Sequence, residues 1–153
     1  MNHFYILANL QKDENLQVTE EIEAYLKEKG KTVITDTSES ICGSRIPEDT
    51  ECILVLGGDG TMLQAARENL KTDIPMIGIN MGTKGYLTEI EVGSLEEALD
   101  CLLKGEYHIE SRMMLNGVIH KAGCEMPPMC ALNEISITRK GSLAVIHYNV
   151  YVN

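Results

Sequence analysis

Residues 55 to 63 read VLGGDGTML. Gly57, Gly58 and Gly60 would let a backbone come close to a phosphate, and a helix starting just after them would aim its N–H groups at it. Asp59 stands at the centre of that loop and would repel the same phosphate. Such a carboxylate makes chemical sense if a metal ion offsets it, or if it is there to take a proton. No Lys-[Ser/Thr] pair follows, so this is not a P-loop, and no G-x-G-x-x-G is present, so the dinucleotide fingerprint is absent too. The plainer alternative is a tight turn in which Asp59 caps a helix beginning near Thr61.

Two further stretches carry polar groups where strands are expected. GINMGTKGYLTEI, residues 78–90, follows an apolar run and spaces Asn80, Gly82 and Gly85 around a turn. ALNEISI, residues 131–137, alternates apolar residues but interrupts them with Asn133 and Glu134. An amide and a carboxylate buried in a strand need hydrogen-bond partners. They are either aimed at ligand hydroxyls or solvated on an edge strand. His120, Cys124, Cys130 and His147 match no zinc-ligand spacing and are set aside as a metal site. Arg112 reads as a salt-bridge partner at a change of domain rather than as a phosphate contact. Met113, Met114, Met126 and Met129 read as core or subunit-contact filler.

The elements that would position these residues follow from periodicity. FYILAN (4–9), KTVIT (31–35), CILVL (52–56) and IPMIGIN (74–80) read as strands, the third a near-continuous apolar run suited to a parallel sheet covered on both faces. Between them lie helical patterns. Val18, Ile22, Tyr25 and Leu26 share one face of the first, with Gly30 as its stop. Leu63, Ala66 and Leu70 face inward on the second. Ser94 and Glu97 have capping-box spacing on the third, which Gly105 closes. This alternation predicts an α/β fold, an open parallel sheet with helices on both faces, over residues 1–112. Both glycine loops then fall at carboxyl ends of strands, where such sheets bind ligands. From 113 to 153 the pattern changes to strands without helices, MMLNGVIH, CALNEISITR and AVIHYNVYVN, which reads as the beginning of a second, β-rich domain.

Composition narrows the partners. The chain has 153 residues and a formal net charge of -10, which argues against a nucleic-acid partner. It has no apolar run of membrane-spanning length. MNHFYILANL lacks a basic n-region and a small-residue cleavage site, so it reads as a strand and not a signal peptide. Five cysteines, with no C-x-x-C, read as reduced thiols in a cytoplasmic protein.

LGGDGTML, IPMIGINMGTKGYLTEI and ALNEISI, in this order and at these separations, resemble the NAD kinase family. G-G-D-G alone is shared with phosphofructokinases and diacylglycerol kinases; the other two stretches are more specific. The resemblance implies an amino-terminal α/β domain, a carboxy-terminal β-rich domain, and ATP-dependent phosphorylation of the 2′-hydroxyl of the adenosine ribose of NAD. It implies Asp59 as general base toward that hydroxyl, or as a group acting through Mg²⁺ or another divalent cation that accompanies ATP. Gly58, Gly60 and Thr61 would lie at the phosphates, Asn80 and Gly85 in the second loop, Tyr86 packed on NAD, and Asn133 with Glu134 in contact with NAD. A homo-oligomer is expected. The family most often has Leu where this chain has Lys84, which reads as a solvated surface lysine. The family's later substrate-binding segment has no counterpart before Asn153, so the chain reads as the amino-terminal portion of a longer protein. Such a portion is expected to be inactive alone and to self-associate through unpaired apolar strands. The rival readings are a lipid or sugar kinase of the G-G-D-G type and a non-catalytic nucleotide-binding or oligomerisation module.

Overall fold

The computed structural model describes residues 1–37, 46–70, 72–82, 85–141 and 145–152. The chain divides into two compact units, Met1–Met113 and Met114–Asn153. The first is built from β1 (His3–Ala8), α1 (Gln17–Glu28), β2 (Thr32–Asp36), β3 (Cys52–Gly57), α2 (Asp59–Glu68), β4 (Met76–Asn80), β5 (Ile90–Glu91) and α3 (Leu95–Lys104). The five strands form one sheet in the order β2-β1-β3-β4-β5. Every neighbouring pair is parallel.

The side-chain alternation of the central strands sorts the core into two layers. Phe4, Ile6, Cys52, Leu54, Leu56 and Ile79 meet Ile22 and Leu26 of α1 and Leu95, Leu99 and Leu102 of α3. Tyr5, Leu7, Ile53 and Val55 point the other way, onto Ala65 of α2 and Ile46. Helices therefore cover both faces, α1 and α3 on one and α2 on the other. This is why the whole of β3 is buried: a strand covered on both faces has no solvated side to mark with polar residues.

Several local expectations are corrected. The second helix begins at Asp59 rather than Thr61, and Gly58 is its N-cap residue. Leu70 lies beyond that helix and is exposed; Ala65 and Ala66 are its buried residues. Ser94 precedes α3 as expected, but it forms no capping box with Glu97: its hydroxyl donates to the Glu91 carbonyl at 3.1 Å instead. Gly105 does close α3, in the left-handed region at φ 80°. The start of α1 was not legible. Leu16 there has a left-handed φ of 54°. The buried Asp13 carboxylate accepts the Thr19 amide at 3.0 Å and the Thr19 hydroxyl at 2.7 Å. A side chain outside the helix thus occupies N–H groups that its first turn would leave unpaired.

The second unit has two short antiparallel pairs, β6 (Leu115–Gly117) with β9 (Met129–Ala131) and β7 (His120–Lys121) with β8 (Cys124–Glu125). Gly123, at φ 77°, turns the second pair. No helix occurs among its described residues. The expected strands CALNEISITR and AVIHYNVYVN are corrected in extent: β9 ends at Ala131, and residues 132–141 and 145–152 join no strand. Alternation there supplies a sheet face but no paired neighbour.

Candidate active site

Parallel sheets bind ligands where the strand order reverses, because neighbouring connections leave in opposite directions there. In this sheet that point lies between β1 and β3. Asn9 follows β1, and Gly58 with Asp59 follows β3. The Asn9 amide nitrogen donates to the Thr61 hydroxyl at 3.1 Å, and its side-chain oxygen accepts the Gln11 amide at 3.0 Å. Its own amide donates to the Leu56 carbonyl at 3.0 Å. Asn9 ties the first turn of α2 to the end of β1, and sequence reasoning missed it. The available signal was its position directly after a strand that must be central.

The glycines of the loop have different reasons to be glycine. A Cβ at Gly57 would meet the Thr61 hydroxyl at 2.3 Å, so this glycine is required by the close seating of α2 on β3. At Gly58 and Gly60 nothing lies within 4 Å of where a Cβ would stand. Gly58 has an ordinary extended backbone, φ -124°. Neither packing nor a left-handed φ requires these two.

Asp59 is the first residue of α2 and not its N-cap, which is Gly58. Its carboxylate reaches across to the loop after β4. Oδ2 accepts the Tyr86 amide at 2.9 Å, and Oδ1 accepts the same amide at 3.1 Å and the Leu87 amide at 2.9 Å. These N–H groups hold its pKa below the ordinary aspartate value, the Tyr86 amide contributing most, then Leu87; burial opposes them, and Thr88 adds a lesser lowering effect. Hydrogen bonds to the charged form favour it over the neutral one. A group whose folded pKa is depressed stabilises the fold above its unfolded value, about 3.9, and loses that contribution as pH falls through the folded one. The Tyr86 and Leu87 amides should therefore stay protected from hydrogen exchange throughout the neutral range and lose protection only below the ordinary aspartate value. Loss beginning near pH 6 would contradict this.

The loop around Asp59 fits it closely. A Cβ on Gly85 would stand 2.3 Å from Asp59 Oδ1 and 2.6 Å from the Thr88 hydroxyl. The Thr88 hydroxyl oxygen is itself buried with no partner among the described residues. Asn80 ends β4 buried, in register with Gly57, and its side-chain oxygen accepts the Gly82 amide at 3.2 Å. Tyr86 is 96% exposed, its ring open to solvent. Lys84 lies outside the described residues.

The first unit therefore brings together Gly58, Asp59, Gly60, Thr61, Asn80, Gly85 and Tyr86. Asn133 and Glu134 belong to the second unit, where both are exposed and past the end of β9. The expectation of a pair inside a buried strand is corrected. The Glu134 carboxylate accepts the Ser136 hydroxyl at 3.0 Å. Arg112 pairs with Glu110 at 2.7 Å, as a salt bridge of the first unit.

No group of three His, Cys, Asp or Glu side chains forms a metal site among the described residues.

The fold is an open α/β domain whose paired glycine loops lie at the carboxyl ends of its central strands. The model of the ATP-NAD kinase N-terminal domain matches residues 30–107. The chain belongs to the NAD kinase family. An NAD kinase of Agathobacter rectalis is 44% identical over 160 residues, and one of Lachnoclostridium phytofermentans 41% identical over 160 residues, each spanning all of this chain. The chain spans about half the length of these relatives, 56% of each. Among solved structures, yeast NADH kinase complexed with NADH superposes with TM-score 0.62 at 17% identity, over 86% of this chain and 47% of that one. An NAD kinase from Archaeoglobus fulgidus in complex with ATP gives TM-score 0.52 at 22% identity, over 77% of this chain and 41% of that one. These two establish likeness of fold.

Proposed function

We propose that this chain is the amino-terminal portion of an NAD kinase, which transfers the γ-phosphoryl group of ATP to the 2′-hydroxyl of the adenosine ribose of NAD. The observation that carries the reading is the joining of the two glycine loops through Asp59 at the switch point of the sheet. Gly58, Gly60 and Thr61 approach phosphate through backbone N–H groups. Tyr86 offers a ring face for a base, and Asn80 and Gly85 shape its loop. Residues 1–112 form the nucleotide-binding domain, and 113–153 begin the β-rich domain, whose Asn133 and Glu134 contact NAD. The 2′-oxygen attacks the γ-phosphorus while its proton passes to Asp59, and the bond to the bridging oxygen breaks to release ADP. Phosphoryl transfer asks chiefly for positioning and charge neutralisation. Magnesium, when bound with ATP, supplies that neutralisation on the phosphates. Cytoplasmic residence rests on the thiol content, and self-association on the exposed apolar residues Ile137, Val150 and Val152.

Direct binding of NAD, ATP and diacylglycerol to the protein tests the reading. NAD and ATP should bind and the lipid should not; preference for diacylglycerol would replace it with a lipid kinase. Gly60 gives a sharper expectation. Inside the first turn of α2, Gly60→Ala meets no neighbour and removes a poor helix former, so stability should rise by about 0.5–1 kcal/mol. If phosphate comes close to that backbone, the added methyl group should also raise KM for ATP in the full-length natural protein carrying this sequence. A more stable variant with unchanged KM would show that the open space at Gly60 receives no ligand.

A further inference from the structure

The Asp59 carboxylate is engaged before any substrate is considered. It accepts the Tyr86 amide at 2.9 Å and the Leu87 amide at 2.9 Å, from a loop 27 and 28 residues away. A carboxylate so held is a weak base, because taking a proton would weaken those charge-assisted bonds. The same bonds fix the backbone of the stretch that carries Tyr86, whose side chain stands exposed. Gly85 is shaped to this arrangement, since any side chain there would overlap Asp59 and Thr88.

We propose that Asp59 is a latch as well as a base: it holds residues 85–88 in the conformation that presents Tyr86 to the dinucleotide, and it keeps hold of their amides while the dinucleotide binds. In this role Asp59 and Gly85 are positioning residues for Tyr86, and the G-G-D-G loop sets affinity for NAD as well as rate. The inference rests on the NAD kinase reading for its substrate, while the latch itself can be observed in the free protein.

Two measurements test it. In the free chain, the Tyr86 and Leu87 amides should exchange at least about tenfold more slowly than in Asp59→Ala, with β3 amides protected in both as a check on folding. Gly85→Ala then opens the latch while keeping the carboxylate. In the full-length natural protein carrying this sequence, it should raise KM for NAD by about ten- to a hundredfold, as for loss of hydrogen bonds to a charged group, and by more than it lowers kcat. The latch is overturned if the wild-type amides exchange as fast as those of Asp59→Ala, or if Gly85→Ala leaves KM for NAD within about twofold of wild type. Should the wild-type protein make no NADP, the NAD kinase reading fails, and the exchange rates still decide the latch.

Discussion

In the full-length natural protein carrying this sequence, Asp59→Asn is expected to lower kcat for NADP formation by about two to four orders of magnitude, the loss typical of a general base. Asparagine keeps the size of the side chain and can still offer one oxygen to the Leu87 amide. Its NH₂ group cannot accept the proton of a hydroxyl, and it would face the Tyr86 amide as a second donor. The charge that receives the proton is thus removed, while only part of the latch is lost. KM for NAD should rise by much less than kcat falls, because the larger deficit belongs to the transition state. The helix-cap alternative had predicted a silent substitution, since asparagine caps as well as aspartate. Gly58 and not Asp59 stands at the N-cap, and the Asp59 carboxylate bonds to the second loop instead, which argues against that alternative. Near wild-type kcat in a folded Asp59→Asn protein would end the assignment of Asp59 as base and leave its tether to the second loop as its role.

The second large effect is on the fold. Leu54 is fully buried at the centre of β3, in register with Ile6 of β1 and Ile77 of β4. It lies in the layer that contains Ile22, Leu26 and Leu99. Leu54→Ala should destabilise the protein by about 2–5 kcal/mol, since sheet and helices cannot all close on the cavity at once. Against a typical total of about 5–15 kcal/mol, that is enough to leave a substantial unfolded fraction. The urea midpoint should fall at an unchanged slope. A loss under about 1 kcal/mol would mean that the layer between β3 and the α1–α3 pair repacks freely, contrary to the close packing of the core.

The parallel sheet was legible because its strands announce themselves locally. CILVL and IPMIGIN are apolar at nearly every position, and a glycine loop follows each. Gly105 was legible for a similar reason, since a left-handed residue after a helix is a local requirement. What escaped was set by distance along the chain. The bonds from Asp59 to residues 86 and 87, from Thr61 to Asn9, and from Thr19 to Asp13 join groups whose adjacency is created by the fold. Ser94 and Glu97 have the right spacing for a capping box, yet the 3₁₀ turn at Val92–Ser94 turns the serine back onto Glu91. In the second unit, the alternation in CALNEISITR and AVIHYNVYVN predicts strands longer than those that form. Alternation describes which side chains share a face, and strand formation also needs a neighbour to pair with. The site followed the same division. The glycines and Asp59 stood out by type and Tyr86 by its place after Gly85, whereas Asn9 offered only its position directly after a central strand.

The most direct test of the central claim is the identity of the phosphorylated product. The full-length natural protein carrying this sequence should be incubated with NAD, ATP and Mg²⁺, and the product followed by phosphorus NMR. A new monophosphate ester resonance on the 2′ position of the adenosine ribose, dependent on ATP and lost in Asp59→Asn, is the predicted result. Unchanged NAD beside a phosphorylated lipid or sugar would contradict the account.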